Sequence, residues 1–225
     1  VTFLIDVIHE GRMARGGLDI PYTRQFIGTL PYIYPIWQAT KWSLGLPLGL
    51  AGFSASAAAL VQVIRQIAQS AWRRAGELGG PIAWVALYFG LTGSFHAKFL
   101  RYMLPVIPFI CLWAAWALLS LATAAGKLRR ILGQASLAVV VSGTALYALA
   151  YMNVYREEHP WIQATTWLCR NLPPYSTIVI EHWDDPLPLL QGLGELDCTG
   201  NHLFTTLKVY DTDDTHKLES ILDAL

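Results

Sequence analysis

The sequence predicts a mostly α-helical membrane protein: a multi-span transmembrane bundle of about four helices, followed by part of a small extracytoplasmic α/β domain. Three observations predict it. Hydrophobic residues make up 54% of the chain and charged residues 14%, with a mean hydropathy of +0.38, which is too apolar and too charge-poor for an ordinary soluble domain. Four uncharged stretches, residues 42–64, 78–95, 102–126 and 131–155, each approach the roughly 20 residues that cross hydrocarbon. From Arg156 onward acids such as Glu157, Glu158, Asp197, Asp211 and Asp223 outnumber Arg156, Arg170, Lys208 and Lys217, as in a solvated tail on a membrane body. Formal net charge is zero, so nothing argues for a nucleic-acid partner, and the lipid bilayer is the partner that composition implies.

Residues 1–41 read as an extracytoplasmic loop with an interfacial aromatic segment. Thr2 to Gly11 suits a helix on which Asp6, His9 and Glu10 share a face. A solvated polar face is favoured there over a metal site, because the spacing matches no zinc pattern, and no metal or other cofactor is expected. From Ile20 to Trp42 the chain is dense in Tyr, Trp and Pro, with no period of 2 or 3.6. Tyr22, Tyr32, Tyr34, Trp37 and Trp42 fit an aromatic belt at a bilayer border, and the same rings suit stacking on sugar faces. The chain opens at Val1 without an initiator Met and ends at Leu225 within an amphipathic pattern, so it reads as a fragment.

Through residues 42–155 a backbone in hydrocarbon must satisfy its own polar groups, which leaves helix as the reading for all four stretches. Pro47 either kinks the first or sits in its first turn. The second is short and broken by Gly, so it is tilted or only partly spanning. Arg65, Arg73 and Arg74 follow the first stretch and Lys127, Arg129 and Arg130 the third, all on one side; Lys41, Lys98, Arg101 and Arg156 lie on the other. The excess of basic residues in short connections assigns the first group to the cytoplasm. The N-terminal segment, the turn from His96 to Arg101 and the acidic tail then face outward, in a multi-pass protein of the plasma (inner) membrane.

That turn, F-H-A-K-F-L-R-Y-M-L-P-V-I-P, concentrates charge at the mouth of an apolar stretch, where a charged side chain needs a reason. Pro105 and Pro108 predict a helix that starts near Tyr102 or Met103, with its free N–H groups beside Lys98 and Arg101. Such a border attracts anions, phosphate above all, and its depth suggests a lipid-linked phosphate. Snorkelling anchors and pairing with an external acid are the competing readings.

Residues 156–225 read as a truncated extracytoplasmic α/β domain. Trp161 to Leu172 has helical spacing and is stopped by Pro173 and Pro174; Thr177 to Glu181 and Thr205 to Tyr210 read as strands; Leu218, Ile221, Leu222 and Leu225 mark one face of a last helix. Cys169 and Cys198 either pair, if the tail lies outside the cytosol, or remain two free thiols, and Cys111 lies in an apolar stretch. Glu181, His182, Asp184 and Asp185 follow a strand end, and a polar turn before Pro186 is favoured there over acid/base chemistry.

R-Y-M-L-P-V-I-P-F at the start of an outward-facing helix, preceded by His and Lys, resembles the polyprenyl-phosphate-sugar-dependent glycosyltransferases of the GT-C type, relatives of protein O-mannosyltransferases and of the bacterial aminoarabinose transferase. P-Y-T-R-Q-F-I-G-T-L-P-Y-I-Y-P, W-S-L-G-L-P-L-G-L-A-G and E-E-H-P-W-I-Q-A-T-T-W-L extend the likeness over most of the chain. The resemblance implies transfer of a sugar, with inversion, from a polyprenyl-phosphate-linked donor to an acceptor on the extracytoplasmic face. It implies that Lys98 and Arg101 bind the lipid phosphate, with His96 assisting and Tyr102 lining the same pocket. It also implies an acidic catalytic base in a first extracytoplasmic loop upstream of Val1. The related mannosyltransferases with an H-K-E-x-R-F pattern carry Glu where this chain has Phe99, and Ala97 here separates His96 from Lys98. The rivals are a ligase acting on lipid-linked polysaccharide and, from a different class, a transporter or noncatalytic membrane subunit handling an anionic lipid or substrate.

Overall fold

A computed structural model describes residues 2–18, 20–181, 187, 202–209 and 214–224. It is mostly helical. In chain order the elements are α1 (Thr2–Ala14), a 3-10 turn (Pro21–Phe26), α2 (Ile33–Gln38) running into a π-helical turn (Ala39–Leu44), α3 (Leu46–Ala68), α4 (Trp72–Thr92), a 3-10 turn (Leu100–Met103), α5 (Ile107–Ala122), α6 (Lys127–Met152), α7 (Pro160–Asn171), β1 (Thr177–Glu181), β2 (Leu203–Leu207) and α8 (Lys217–Ala224). They fall into two units, one of Val1–Gly17 with Phe26–Tyr151 and one of Leu18–Gln25 with Met152–Leu225.

The first unit is organised by the packing of α3 on α5. Gly49, Gly52, Ala55, Ala59 and Val63 recur every three or four residues along α3 and are all buried, so one face of the helix is almost bare of side chain. Ile110, Trp113, Ala114 and Leu118 of α5 are the buried counterpart. A Cβ on Gly52 would collide with Ile110 Cγ2, and one on Gly49 would lie 2.7 Å from Thr40 Cγ2. Small residues at such a crossing let backbones approach closely, which is how helices associate when their surroundings are as apolar as their side chains. Ahead of α3 the π-helical turn folds Ala39 and Leu44 onto Met103, Val106 and Ile110. Pro47 occupies the first turn of α3, where its missing N–H is not needed.

Two helical runs, α3 and the one opening with α6, are long and apolar enough to cross a membrane; Gly79–Thr92 and Ile107–Ala122 are shorter apolar helices. Their outer faces carry Leu50, Leu60, Leu87, Leu112, Val139 and Leu146 exposed. Such a surface is costly in water and carries no such cost in hydrocarbon.

One expected boundary is corrected. The third apolar helix begins at Ile107, not near Tyr102 or Met103, and a separate 3-10 turn fills Leu100–Met103. Two prolines three residues apart cannot both sit comfortably in one first turn. A start at Met103 would bring Pro108 into the helix interior, where its ring clashes and its missing N–H leaves a carbonyl unpaired. Starting at Ile107 puts Pro108 in the first turn instead.

In the second unit, His159 caps α7 by accepting the Trp161 N–H at Nδ1, 3.2 Å away. Strands β1 and β2 pair in parallel, Thr177 opposite Leu203. The register begins with the Leu203 N–H donating to Ser176 O at 3.1 Å, so β2 starts two residues earlier than the sequence suggests. On α8 Ile221 is half-buried while Leu218 and Leu222 are exposed, and Leu225 lies outside the described residues. Cys169 is disulfide-bonded and Cys111 is free; Cys198 lies outside the described residues.

The α3–α5 crossing generates a prediction. Gly52→Leu should destabilise the protein by about 1–3 kcal/mol through overpacking against Ile110. Gly90→Ala, with nothing within 4 Å of the new methyl, should be neutral or stabilising by about 0.5–1 kcal/mol. Thermal unfolding of both variants in one detergent checks the contrast.

Candidate functional site

The site is the chain between the end of α4 and the start of α5. Helix α4 leaves its last carbonyls without helical partners, and Tyr32 supplies two donors: its N–H to Gly93 O at 2.9 Å and its hydroxyl to Gly90 O at 3.0 Å. The Tyr32 ring stands edge-on to Phe89, and a Cβ at Gly93 would lie 2.6 Å from it, so only glycine fits. Tyr32 itself is held at φ 60°, a strained conformation for a non-glycine residue that these contacts sustain.

Beyond Gly93 the chain meets the end of α1. The Ala97 N–H donates to Ala14 O at 3.1 Å, and Ala97 is fully buried. The half-buried His96 ring packs on Gly16, where a Cβ would stand 3.0 Å from its Cγ.

Lys98 is buried, 6% exposed, and its ammonium donates to Thr29 Oγ1 and to His96 O, both at 3.1 Å. The Thr29 hydroxyl in turn donates to Phe26 O at 2.6 Å. Burial pushes the Lys98 ammonium below its ordinary pKa, because desolvation penalises the charged form.

Arg101 is the opposite case. It is exposed, with its guanidinium 4.4 Å from the Phe99 ring centroid and 5.7 Å from that of Tyr102. Phe99 and Tyr102 are edge-to-face at 5.8 Å, Phe26 stands edge-on to Phe99 at 5.0 Å, and Phe95 edge-on to Tyr102 at 6.3 Å. The cation rests on an interlocked aromatic bed, which fixes it by cation–π attraction and leaves its N–H fork open.

Two hollows adjoin this turn. A recess of about 10 Å³ between Thr92, Lys98, Tyr102 and Met103 is no larger than a water site. An apolar cavity of about 230 Å³ lies between α3, α4 and α5, lined by Phe53, Leu60, Val85, Ile110 and Trp113, and it shares Phe89 and Met103 with the recess. Through Phe89 and Met103 the recess beside Lys98 adjoins that apolar cavity.

Of the residues the sequence singles out, Lys98, Arg101 and Tyr102 come together with Phe99, and His96 contributes its carbonyl to Lys98. Thr29 and Phe26 belong to the site although no local signal marks them, a buried ammonium calling for a nearby oxygen. Tyr32, expected in an aromatic belt or a sugar stack, closes the end of α4. Asp6, His9 and Glu10 are exposed on α1, and among the described residues no group of three His, Cys, Asp or Glu is placed to hold a metal. Glu181 ends β1, while His182, Asp184 and Asp185 lie outside the described residues. Comparison with family models, with characterised proteins and with solved structures finds no match for this chain.

Lys98 gives a pH prediction. Its folded-state pKa lies below the ordinary 10.5 of the unfolded chain, so between the two values the unfolded state binds more protons and stability rises with pH. The burial penalty on the charged form is present throughout the range below the folded value. Relative to Lys98→Met, the parent protein should therefore gain stability as pH rises toward 10.5, which paired unfolding curves at neutral and alkaline pH measure.

Proposed function

We propose that the chain is part of a membrane glycosyltransferase that takes a sugar from a polyprenyl-phosphate-linked donor at the extracytoplasmic face of the plasma (inner) membrane. The observation that carries the reading is an exposed guanidinium on an aromatic bed in the same turn as a buried ammonium, whose recess adjoins an apolar cavity. An anionic head with a long apolar tail is the ligand that uses both halves. Arg101 presents a planar fork to phosphate oxygens. Lys98 adds positive potential from a fixed position and holds the turn to the Thr29 segment. As the sugar–phosphate bond breaks, negative charge grows on the departing lipid phosphate, and a cation already in place lowers that barrier. Tyr102 forms part of the aromatic bed under Arg101, and the His96 carbonyl orients Lys98.

Two helical runs long and apolar enough to cross a membrane, with two shorter apolar helices, support a membrane placement. Helix α5 measures about 24 Å at 1.5 Å per residue, shorter than a hydrocarbon core of about 30 Å. The excess of basic residues in the other short connections favours an outward Lys98 turn. The disulfide at Cys169 suits an oxidising compartment for the tail.

In the intact protein, Arg101→Ala and Lys98→Ala should each weaken donor binding by about 1.5–3 kcal/mol, roughly 10- to 150-fold, with Arg101→Lys retaining part of the affinity. Titration with a polyprenyl-phosphate sugar and a transfer assay test this, and unchanged binding and turnover in both alanine variants would sink the assignment. Maleimide should label Cys169 only after reduction; labelling beforehand would remove the support that the disulfide lends to an outward tail.

A further inference from the structure

Helix α6 touches the rest of its unit at two places and stands off between them. Near its start Gly133 lies so close to Leu121 and Ala122 that a Cβ would strike their backbone. Further on, a Cβ on Gly143 would lie 2.8 Å from Pro47, and the Tyr147 hydroxyl donates to Lys41 O. Between these pins is a slot of about 690 Å³ walled by α3, α5 and α6, its lining apolar except for Ser54 and Ser136. The α6 wall, Leu132 to Val140, is about 12 Å long, close to the depth of one bilayer leaflet.

The rim is charged. Arg129 precedes Leu132, Ser136 and Val140 by three, seven and eleven residues, which puts it on the same helical face one turn below the slot. Lys127, Arg129 and Arg130 are all exposed. The acids of this unit's sequence are Asp6, Glu10 and Glu77, and among the described residues no carboxylate pairs with Arg129.

We propose that the slot holds an acyl chain of an anionic phospholipid whose phosphate sits on Arg129, with Lys127 and Arg130 beside it. A hydrocarbon wall of leaflet depth under an unneutralised basic rim is complementary to a lipid with a negative head. A zwitterionic lipid fits the wall equally well and gains less at the rim. The inference rests on α6 lying in a bilayer and is independent of the donor site at Arg101.

The full-length protein, purified in detergent, is offered phosphatidylglycerol and phosphatidylcholine of matched chains in equal amounts, and bound lipids are counted by native mass spectrometry. Phosphatidylglycerol should be retained about tenfold over phosphatidylcholine. Arg129→Gln should bring the two to parity, and Ala135→Phe, which fills the slot, should lose phosphatidylglycerol with the rim intact. Equal retention of the two lipids by the parent protein, or a preference surviving both variants, would overturn the proposal. So would an Ala135→Cys cross-link between two copies, which would mean that a helix fills the slot. Donor affinity should not change in Arg129→Gln. If Arg101→Ala left donor binding intact while phosphatidylglycerol stayed preferred, the donor reading alone would fail.

Discussion

A buried ammonium has to be surrounded by oxygen, and at Lys98 that requirement joins segments far apart in the chain. The head group reaches Thr29, whose hydroxyl is tied to Phe26 O, and turns back to the carbonyl of His96. With those positions set, Phe26 meets Phe99 and Phe99 meets Tyr102, so the aromatic bed under Arg101 follows from where Lys98 is anchored. Tyr32 completes the same junction from the other side by closing the end of α4. Leaving Lys98 charged without those acceptors would cost several kcal/mol, more than any one surface contact returns. The turn is thus held by a polar requirement inside an otherwise apolar body.

That requirement explains why two cations three residues apart in one turn behave differently. Lysine carries a compact charge on a flexible stem that threads inward to two oxygens. Arginine spreads its charge over a plane that lies flat on rings. Exchanging the two would leave the guanidinium with too few acceptors in a space built for one ammonium. It would also give the aromatic bed a smaller, more strongly hydrated cation. The sequence order His96, Lys98, Arg101 therefore encodes one inward and one outward charge. An anion approaching the turn would meet the exposed Arg101 before the buried Lys98.

Much of the architecture was legible because it depends on local signals. The strand Thr177–Glu181 is found where its β-branched run predicts, and α7 ends before the paired prolines that predict its stop. The long apolar helices follow uncharged runs, and the bare face of α3 is written in its Gly and Ala spacing. Legibility stops where a distant partner decides. The onset of α5 was misjudged because either proline alone signals a helix start and only their joint spacing excludes the earlier one. No local signal marks Thr29 as the acceptor of a lysine nearly seventy positions away. Nothing local to Tyr32 marks it for positive φ; Gly90 of α4 and Gly93 just beyond it do.

Charge is also sorted between the two units. Apart from Asp6, Glu10 and Glu77 every acid of the chain belongs to the tail unit or to Leu18–Gln25, while Lys41, Arg65, Lys98, Arg101 and the Lys127–Arg130 run belong to the first. In water such segregation would favour pairing between the units and would quench both fields. A bilayer would accommodate both, with cations at the borders of the first unit beside lipid phosphates and acids in an aqueous tail. The same sorting keeps Arg101 free of an internal carboxylate among the described residues. Were the first unit in a bilayer, its excess of cations over Asp6, Glu10 and Glu77 would be balanced by anionic partners at the border, the property that the proposed lipid-phosphate ligands share.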